Sequence, residues 1–179
     1  MKIIYMNLTT VFIGTAAILT FSWFYSVKYG RYHGIPRFFA FESIFILVLL
    51  NLHLWFNDPF SLKQIISWIL LILSAYYGIA GFYLLSRHGR AGRNIEETTV
   101  LVKAGVYRYI RHPLYFSLLL LGTGVMMKDP SAVQIILGVV NLTALWFTAR
   151  IEEKEMIAKF GDAYREYMNE TKMFIPFIV

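Results

Sequence analysis

The sequence predicts an all-α integral membrane protein, a bundle of about five transmembrane helices, and three observations support this. Of the 179 residues, 58% are hydrophobic and only 16% are charged, too few charges to cover a soluble domain of this size. Several apolar stretches reach the length that a bilayer requires. Aromatic residues make up 17% of the chain, as expected where Trp and Tyr concentrate at headgroup level. The length favours a single domain over residues 1–179.

Three long apolar stretches occupy the first half of the chain. The first has no charge, the second contains only Glu42, and the third has Lys63 at its edge; they are residues 8–27, 38–56 and 62–85. About 20 apolar residues cross a hydrocarbon core of ~30 Å. The first stretch exceeds the apolar region of a signal peptide, and no clear small-residue cleavage site follows it, so we interpret it as a retained helix. Residues 1–85 are therefore predicted to form three packing and lipid-facing helices.

Two shorter apolar stretches follow a polar loop of about 28 residues, 86–113, and long ordered loops are often functional. The stretches are residues 114–127 and 132–148. Only four residues, beginning with Lys128, separate them, which predicts a tight helical hairpin. Their length leaves open whether the hairpin crosses the bilayer or dips into it and returns.

The distribution of Lys and Arg predicts the orientation. Fourteen of the 17 fall in the loop after the first span, the loop after the third span and the C-terminal tail, all on one side of the membrane. The positive-inside rule then puts the N-terminus outside and the C-terminus in the cytoplasm, in a plasma or inner membrane, or in the endoplasmic reticulum of a eukaryote. The net charge of +6 reflects this topology and contact with anionic lipid, and nothing indicates nucleic-acid binding.

The polar residues that could bind a ligand or take part in catalysis are concentrated in two clusters. On a helical wheel of the tail, Arg150 and Glu153 fall on the apolar face, whereas Glu152 falls on the charged face. Taken alone, this spacing favours a simple i,i+3 salt bridge. The second cluster runs from Tyr107 to Tyr115 and places basic and aromatic side chains just before a predicted helix, where an anion is favoured. Taken alone, it favours interfacial anchoring.

Together, the clusters form an ordered pattern over about the last 90 residues. Arg111-His112-Pro113-Leu114-Tyr115 precedes the hydrophobic hairpin, and the acidic pair Glu152-Glu153 follows it. This pattern resembles the isoprenylcysteine carboxyl methyltransferase family and the related phospholipid methyltransferases. The resemblance implies an S-adenosylmethionine-dependent membrane methyltransferase whose cytoplasmic cofactor pocket is formed by residues 86–179.

The resemblance also assigns candidate roles by position. The residues that would hold polar groups of the cofactor are Arg111, His112 and Tyr115. Those that would bind its amino or ribose end are Glu152 and Glu153. The loop residues that would line the same pocket are Lys103, Gly105 and Tyr107.

Methyl transfer from a sulfonium is an in-line displacement that chiefly requires positioning and a dry site. An acceptor carboxylate needs no general base, whereas an amine would need help from His112 or a glutamate such as Glu153. Arg150 is our candidate for steering an anionic substrate group. The acceptor expected from the resemblance is lipid-associated or a small hydrophobic molecule, with a prenylcysteine carboxylate as the best-known example. The residues themselves identify neither the acceptor nor the oligomeric state.

Two other functional classes remain open. Membrane sterol reductases have a similar C-terminal region and would bind NADPH there. In a non-catalytic membrane protein both clusters would only be anchors. A metal site is not expected, because the chain has no cysteine and no His, Asp and Glu spacing indicates ligation.

Overall fold

The computed structural model describes residues 7–89 and 98–175, which form six α-helices. They are α1 (Leu8–Tyr25), α2 (Gly34–Asn51), α3 (Leu62–His88), α4 (Pro113–Met126), α5 (Ala132–Phe160) and α6 (Asp162–Glu170). By length and composition, α1, α2, α3 and α5 can each cross a membrane, whereas α4 has only 14 residues. The predicted all-helical membrane bundle is confirmed.

The tail consists of two helices rather than the single one on which the helical wheel was drawn. The fifth helix continues without interruption through the acidic pair to Phe160, and a separate helix begins at Asp162. Gly161 lies between them with a φ of 59°, a conformation that glycine adopts without a Cβ clash. The continuous helix on which a single helical wheel of the tail depends therefore ends at Phe160.

Small and polar residues allow the helices to approach closely. α3 packs against α4, and α2 packs against α5. Ser67 donates a hydrogen bond of 2.6 Å to the carbonyl of Gly124, and Ser74 donates one of 2.7 Å to the carbonyl of Ser117. A Cβ on Gly81 would lie 3.3 Å from Pro113. Such contacts are typical of membrane bundles, where packing and interhelical hydrogen bonds replace the hydrophobic effect.

The short α4 creates a recess at one end of the bundle. Its 14 residues span about 21 Å, less than the ~30 Å hydrocarbon core. It begins beside Gly81, seven residues before α3 ends at His88. α3 and α5 therefore extend beyond the first residue of α4, and the motif before α4 lies between them.

Beyond the opposite end of α4, Lys128 is enclosed by side chains from other parts of the chain. Lys128 is fully buried, and its Nζ lies 4.8 Å and 4.4 Å from the ring centroids of Trp55 and Trp68. The same Nζ donates a hydrogen bond of 3.2 Å to the side-chain oxygen of Gln64. Burial of this cation is offset by the two ring faces and the amide.

Candidate active site

A cavity of about 500 Å³ occupies the recess where α4 begins. This volume is within the range of small-molecule sites. Five of the residues predicted for the site line it, and they are Tyr107, Arg111, His112, Tyr115 and Glu152. Pro113 starts α4 directly behind them, where its missing N–H leaves no intrahelical hydrogen bond unmade.

The C-terminal segment holds the motif in place through its backbone. Lys172 N–H donates to the carbonyl of Tyr109 at 3.2 Å, Arg111 N–H to the carbonyl of Lys172 at 2.8 Å, and His112 N–H to the carbonyl of Met173 at 3.2 Å. These bonds form a short parallel bridge. The N–H groups of Arg111 and His112 lie just before α4 and would otherwise lack partners. The C-terminal segment therefore fixes the position of the motif's backbone.

Arg111, which lines the cavity, forms a buried ion pair with Glu153. Arg111 Nε donates to Glu153 Oε1 at 2.8 Å, and only 9% and 3% of their side chains are exposed. Arg111 Nη1 also donates to the carbonyls of Met168, at 3.2 Å, and of Thr171, at the end of α6. A cation is stabilised there by the helix dipole. The ion pair and these hydrogen bonds therefore connect α5 and α6 to the start of α4.

His112 and Glu152 differ from this pair because their contacts are longer. His112 Nδ1 lies 3.8 Å from Glu152 Oε2, and His112 Nε2 lies 3.6 Å from Glu153 Oε1, both too long for a hydrogen bond. Among the described residues, His112 Nε2 and Glu152 Oε2 are buried without a hydrogen-bond partner. Both side chains line the cavity, which makes them its candidate groups for binding a polar ligand.

The helical wheel was wrong about Glu152. Glu152, Met156 and Phe160 repeat every four residues along α5, and all three line the cavity. Glu153 is on the neighbouring face, buried against Arg111, and is not among the described lining residues. The wheel failed because it separates only an apolar face from a charged one, whereas the cavity lies against a third part of the α5 surface that carries both Glu152 and Phe160.

Three other predicted residues lie outside this cavity as far as its described lining shows. Lys103 Nζ is 3.9 Å from a carboxylate oxygen of Glu170. Gly105 lines a second, smaller cavity. Arg150 is half exposed and 3.9 Å from Glu153 Oε2, with its guanidinium 5.8 Å from the centroid of Trp146. The i,i+3 contact favoured by spacing is therefore present.

Three tyrosines contribute neutral hydroxyl groups to the site. Tyr107, Tyr164 and Tyr167 all line the cavity. Burial raises the pKa of each phenol well above its ordinary value, so all three stay protonated at neutral pH. Tyr167 O–H donates to the carbonyl of Tyr107 at 2.6 Å, which fixes the loop segment against α6.

The first half of the chain also contributes to the cavity wall, which sequence reasoning missed. Phe21 and Tyr25 of α1, Arg37 of α2 and Phe82 of α3 line the cavity. Arg37 is 5% exposed and donates a hydrogen bond of 2.5 Å to Ser26 Oγ. A buried arginine at the start of an apolar span was the available signal, since such a charge is costly unless it has a use.

Residues 62–163 match the sequence profile of the phospholipid methyltransferase family, more than half of the 179 residues. The chain belongs to this family. The matched region runs from α3 to the first residues of α6 and includes the motif before α4 and the acidic pair. The resemblance inferred from those residues is therefore confirmed.

Individual relatives match over shorter regions. The chain is 39% identical over 89 residues to protein-S-isoprenylcysteine O-methyltransferase of Saccharomyces cerevisiae, covering 46% of the chain and 35% of the relative. It is 38% identical over 89 residues to that of Homo sapiens, covering 46% and 30%. It is 25% identical over 121 residues to methanethiol S-methyltransferase of Crocosphaera subtropica, covering 63% and 44%.

The matches thus span about a third of the length of the two isoprenylcysteine relatives. No solved structure matches the chain significantly.

Proposed function

We propose that this protein is an S-adenosylmethionine-dependent membrane methyltransferase acting on a lipid-associated or small hydrophobic acceptor. The observation that carries the proposal is the cavity, whose largely apolar walls include the carboxylate of Glu152 and the imidazole of His112. Membership of the phospholipid methyltransferase family supports the same reaction type. A carboxylate and an imidazole fit a cofactor that has an ammonium group and hydroxyls to bind.

The cavity residues divide into ligand-facing groups and supporting groups. The cofactor supplies an electrophilic methyl group when it is bound. Glu152 would accept hydrogen bonds from the cofactor's amino or ribose end, and His112, stacked on Tyr115 at 5.4 Å between ring centroids, would contribute its imidazole to the cavity wall. Arg111 and Glu153 are positioning residues, because their mutual hydrogen bond holds the motif in register with α5.

The acceptor would enter from the membrane between α1 and α3. Phe21, Tyr25 and Phe82 line the cavity, and 41%, 44% and 54% of each remains exposed. An apolar opening of this kind suits a lipid-borne acceptor. A carboxylate or thiolate acceptor requires no base, whereas for an amine His112 would take the proton. The distribution of positive residues supports a cytoplasmic position for the cavity and the C-terminus.

Cofactor binding by the purified, detergent-solubilised protein tests the proposal. We expect saturable binding of S-adenosylmethionine and S-adenosylhomocysteine and none of NADPH. H112A should weaken binding of both adenosyl compounds, because it removes a buried imidazole from the cavity wall. H53A is the matched control, since His53 is an exposed histidine in the turn after α2, and it should bind as the wild type does.

Binding of NADPH alone would move the protein to the reductases. Absence of binding by a folded protein would reject both enzyme classes and favour a non-catalytic membrane protein.

A further inference from the structure

A second cavity, of about 430 Å³, lies on the other side of the loop segment that precedes α4. Its walls are one face of α3 and the outward-facing side of that segment, and the lining residues are Tyr76, Tyr77, Gly105, Val106, Arg108, Tyr109 and Ile110. Three tyrosines and one guanidinium therefore surround a space that is open on one side. Among these described lining residues there is no carboxylate.

The position of this cavity along α3 corresponds to the membrane interface. Gly105 lies against Leu84, since a Cβ placed on it would be 2.6 Å from Leu84 Cδ1. The α3 residues that line the cavity are Tyr76 and Tyr77, so its end at Gly105 lies about 12 Å further along α3, eight residues at 1.5 Å each. α3 extends only to His88. Aromatic and basic side chains at such a depth are typical of the headgroup and glycerol level.

An apolar stripe runs along α3 beside the cavity and continues past it toward the first turns of the helix. It consists of side chains on α3 that repeat every three or four residues and are at least half exposed, namely Ile69, Ile72, Tyr76, Ile79 and Tyr83. This spacing places them on one face of the helix. A polar, positively charged cavity beside an exposed apolar stripe matches the two chemical parts of a phospholipid.

We propose that this cavity binds the phosphate of an anionic phospholipid. Arg108 binds the phosphate with the help of the tyrosine hydroxyls, and the acyl chains lie along the stripe on α3. On the orientation proposed above, the cavity faces the cytoplasmic leaflet, where anionic lipids attract basic residues. The proposal does not depend on methyl transfer.

The lipid site and the candidate active site share the loop segment between them. Tyr107 lines the 500 Å³ cavity, whereas its neighbours Val106 and Arg108 line the second one. A lipid bound on the outer side therefore stabilises the segment that carries Tyr107 on the inner side.

Thermal unfolding of the full chain in neutral detergent tests the lipid site. We expect phosphatidylglycerol to raise the melting temperature more than phosphatidylcholine with the same acyl chains. R108Q should bind phosphatidylglycerol about fivefold more weakly and lose this preference, since one basic residue contributes about that factor near an anionic surface. R87Q is the matched control, because Arg87 is an exposed cation near the same end of α3, and it should keep the preference.

Three results would overturn the proposal. The first is equal stabilisation by the two lipids. The second is a preference that survives in R108Q or disappears equally in R87Q, which would indicate only general surface charge. The third is the same shift with glycerol phosphate or inorganic phosphate, which would indicate a site for small anions. If R108Q does not fold, R108K replaces it and should retain the preference, because it keeps the charge.

Discussion

The two ends of α4 each bury a cation, but they surround it differently. After the C-terminal end, Lys128 is enclosed by the rings of Trp55 and Trp68 and by one amide. Before the N-terminal end, Arg111 pairs with the carboxylate of Glu153 and with two carbonyls of the tail.

The difference lies in whether a cavity is lined by the groups around each cation. Lys128 is not among the described lining residues of the two cavities, and its contacts join it to Trp55, Trp68 and Gln64. Arg111 lines the 500 Å³ cavity together with His112 and Glu152. A cation enclosed by rings and an amide contributes to packing, whereas charged and polar groups that line a cavity are suited to binding a ligand. We therefore expect substitutions at the two ends to affect stability and binding differently.

The largest effect is expected for R111L. Removing one member of a buried ion pair leaves Glu153 with only its longer contacts to His112 and Arg150, and such a loss costs up to about 3–5 kcal/mol. The free energy of unfolding in a denaturant that preserves the detergent micelle measures this loss, and cofactor binding should disappear with it. R165Q is the matched control, since Arg165 is exposed and pairs with Asp162, which is also exposed, and it should change stability by less than about 1 kcal/mol.

Adding E153Q to R111L sharpens the result. The double variant removes both charges, so it should recover part of the lost stability relative to R111L. A double variant that is less stable than R111L would contradict the assignment of Arg111 and Glu153 as a stabilising ion pair.

The two adjacent glutamates should separate binding from stability. E152Q should weaken S-adenosylmethionine binding by at least about tenfold, because a charge-assisted hydrogen bond contributes about 1.5–3 kcal/mol, and should leave the melting temperature nearly unchanged. E153Q should mainly lower the melting temperature. Isothermal titration and thermal unfolding measure the two quantities. E166Q, on the exposed side of α6, is the control and should change neither, whereas the reverse assignment holds if E153Q alone loses binding.

K128M tests the enclosed contacts of Lys128 with Trp55 and Trp68 after the C-terminal end of α4. Loss of a desolvated cation–π contact costs about 2 kcal/mol, so the melting temperature should fall while cofactor affinity, measured on the folded variant, stays at the wild-type level. A matched change in affinity would show that the two ends are energetically coupled. K63M removes a charge from the exposed start of α3 and should have little effect on either quantity.

The smallest effect on stability is expected for R150Q. Arg150 is half exposed and 3.9 Å from Glu153, and such a contact contributes less than about 1 kcal/mol. If Arg150 steers an anionic acceptor group, R150Q should raise the KM for the acceptor and leave cofactor affinity unchanged. K154Q, one turn further along the exposed part of α5, serves as the control. An unchanged KM in R150Q would remove Arg150 from the acceptor site.

The fold could be predicted largely because hydropathy acts on each residue locally. The spans over residues 8–27, 38–56 and 62–85 overlap the long apolar helices, since the bilayer selects apolar side chains wherever a helix crosses it. The break after Phe160 was missed, because a single glycine inside a periodic pattern does not by itself reveal a positive φ.

The candidate site could be predicted only in part. The motif from Arg111 to Tyr115 and the acidic pair were found because they are contiguous in sequence. Arg37 was missed, as was the 2.8 Å contact between His33 and Glu155, since these contacts join segments far apart in the chain. Lys128 was assigned to a turn, although two tryptophans from other parts of the chain bury it completely.

The sequence by itself determined that the chain is a helical membrane protein and which short motifs are the candidates for its chemistry. Those properties depend on composition and on neighbours a few residues away. Only the tertiary structure decided that Glu152 rather than Glu153 faces the cavity, and that α1 and α2 help to enclose it. The physical reason is that the environment of a side chain on a covered helix depends on what packs against each face, and those partners come from distant segments.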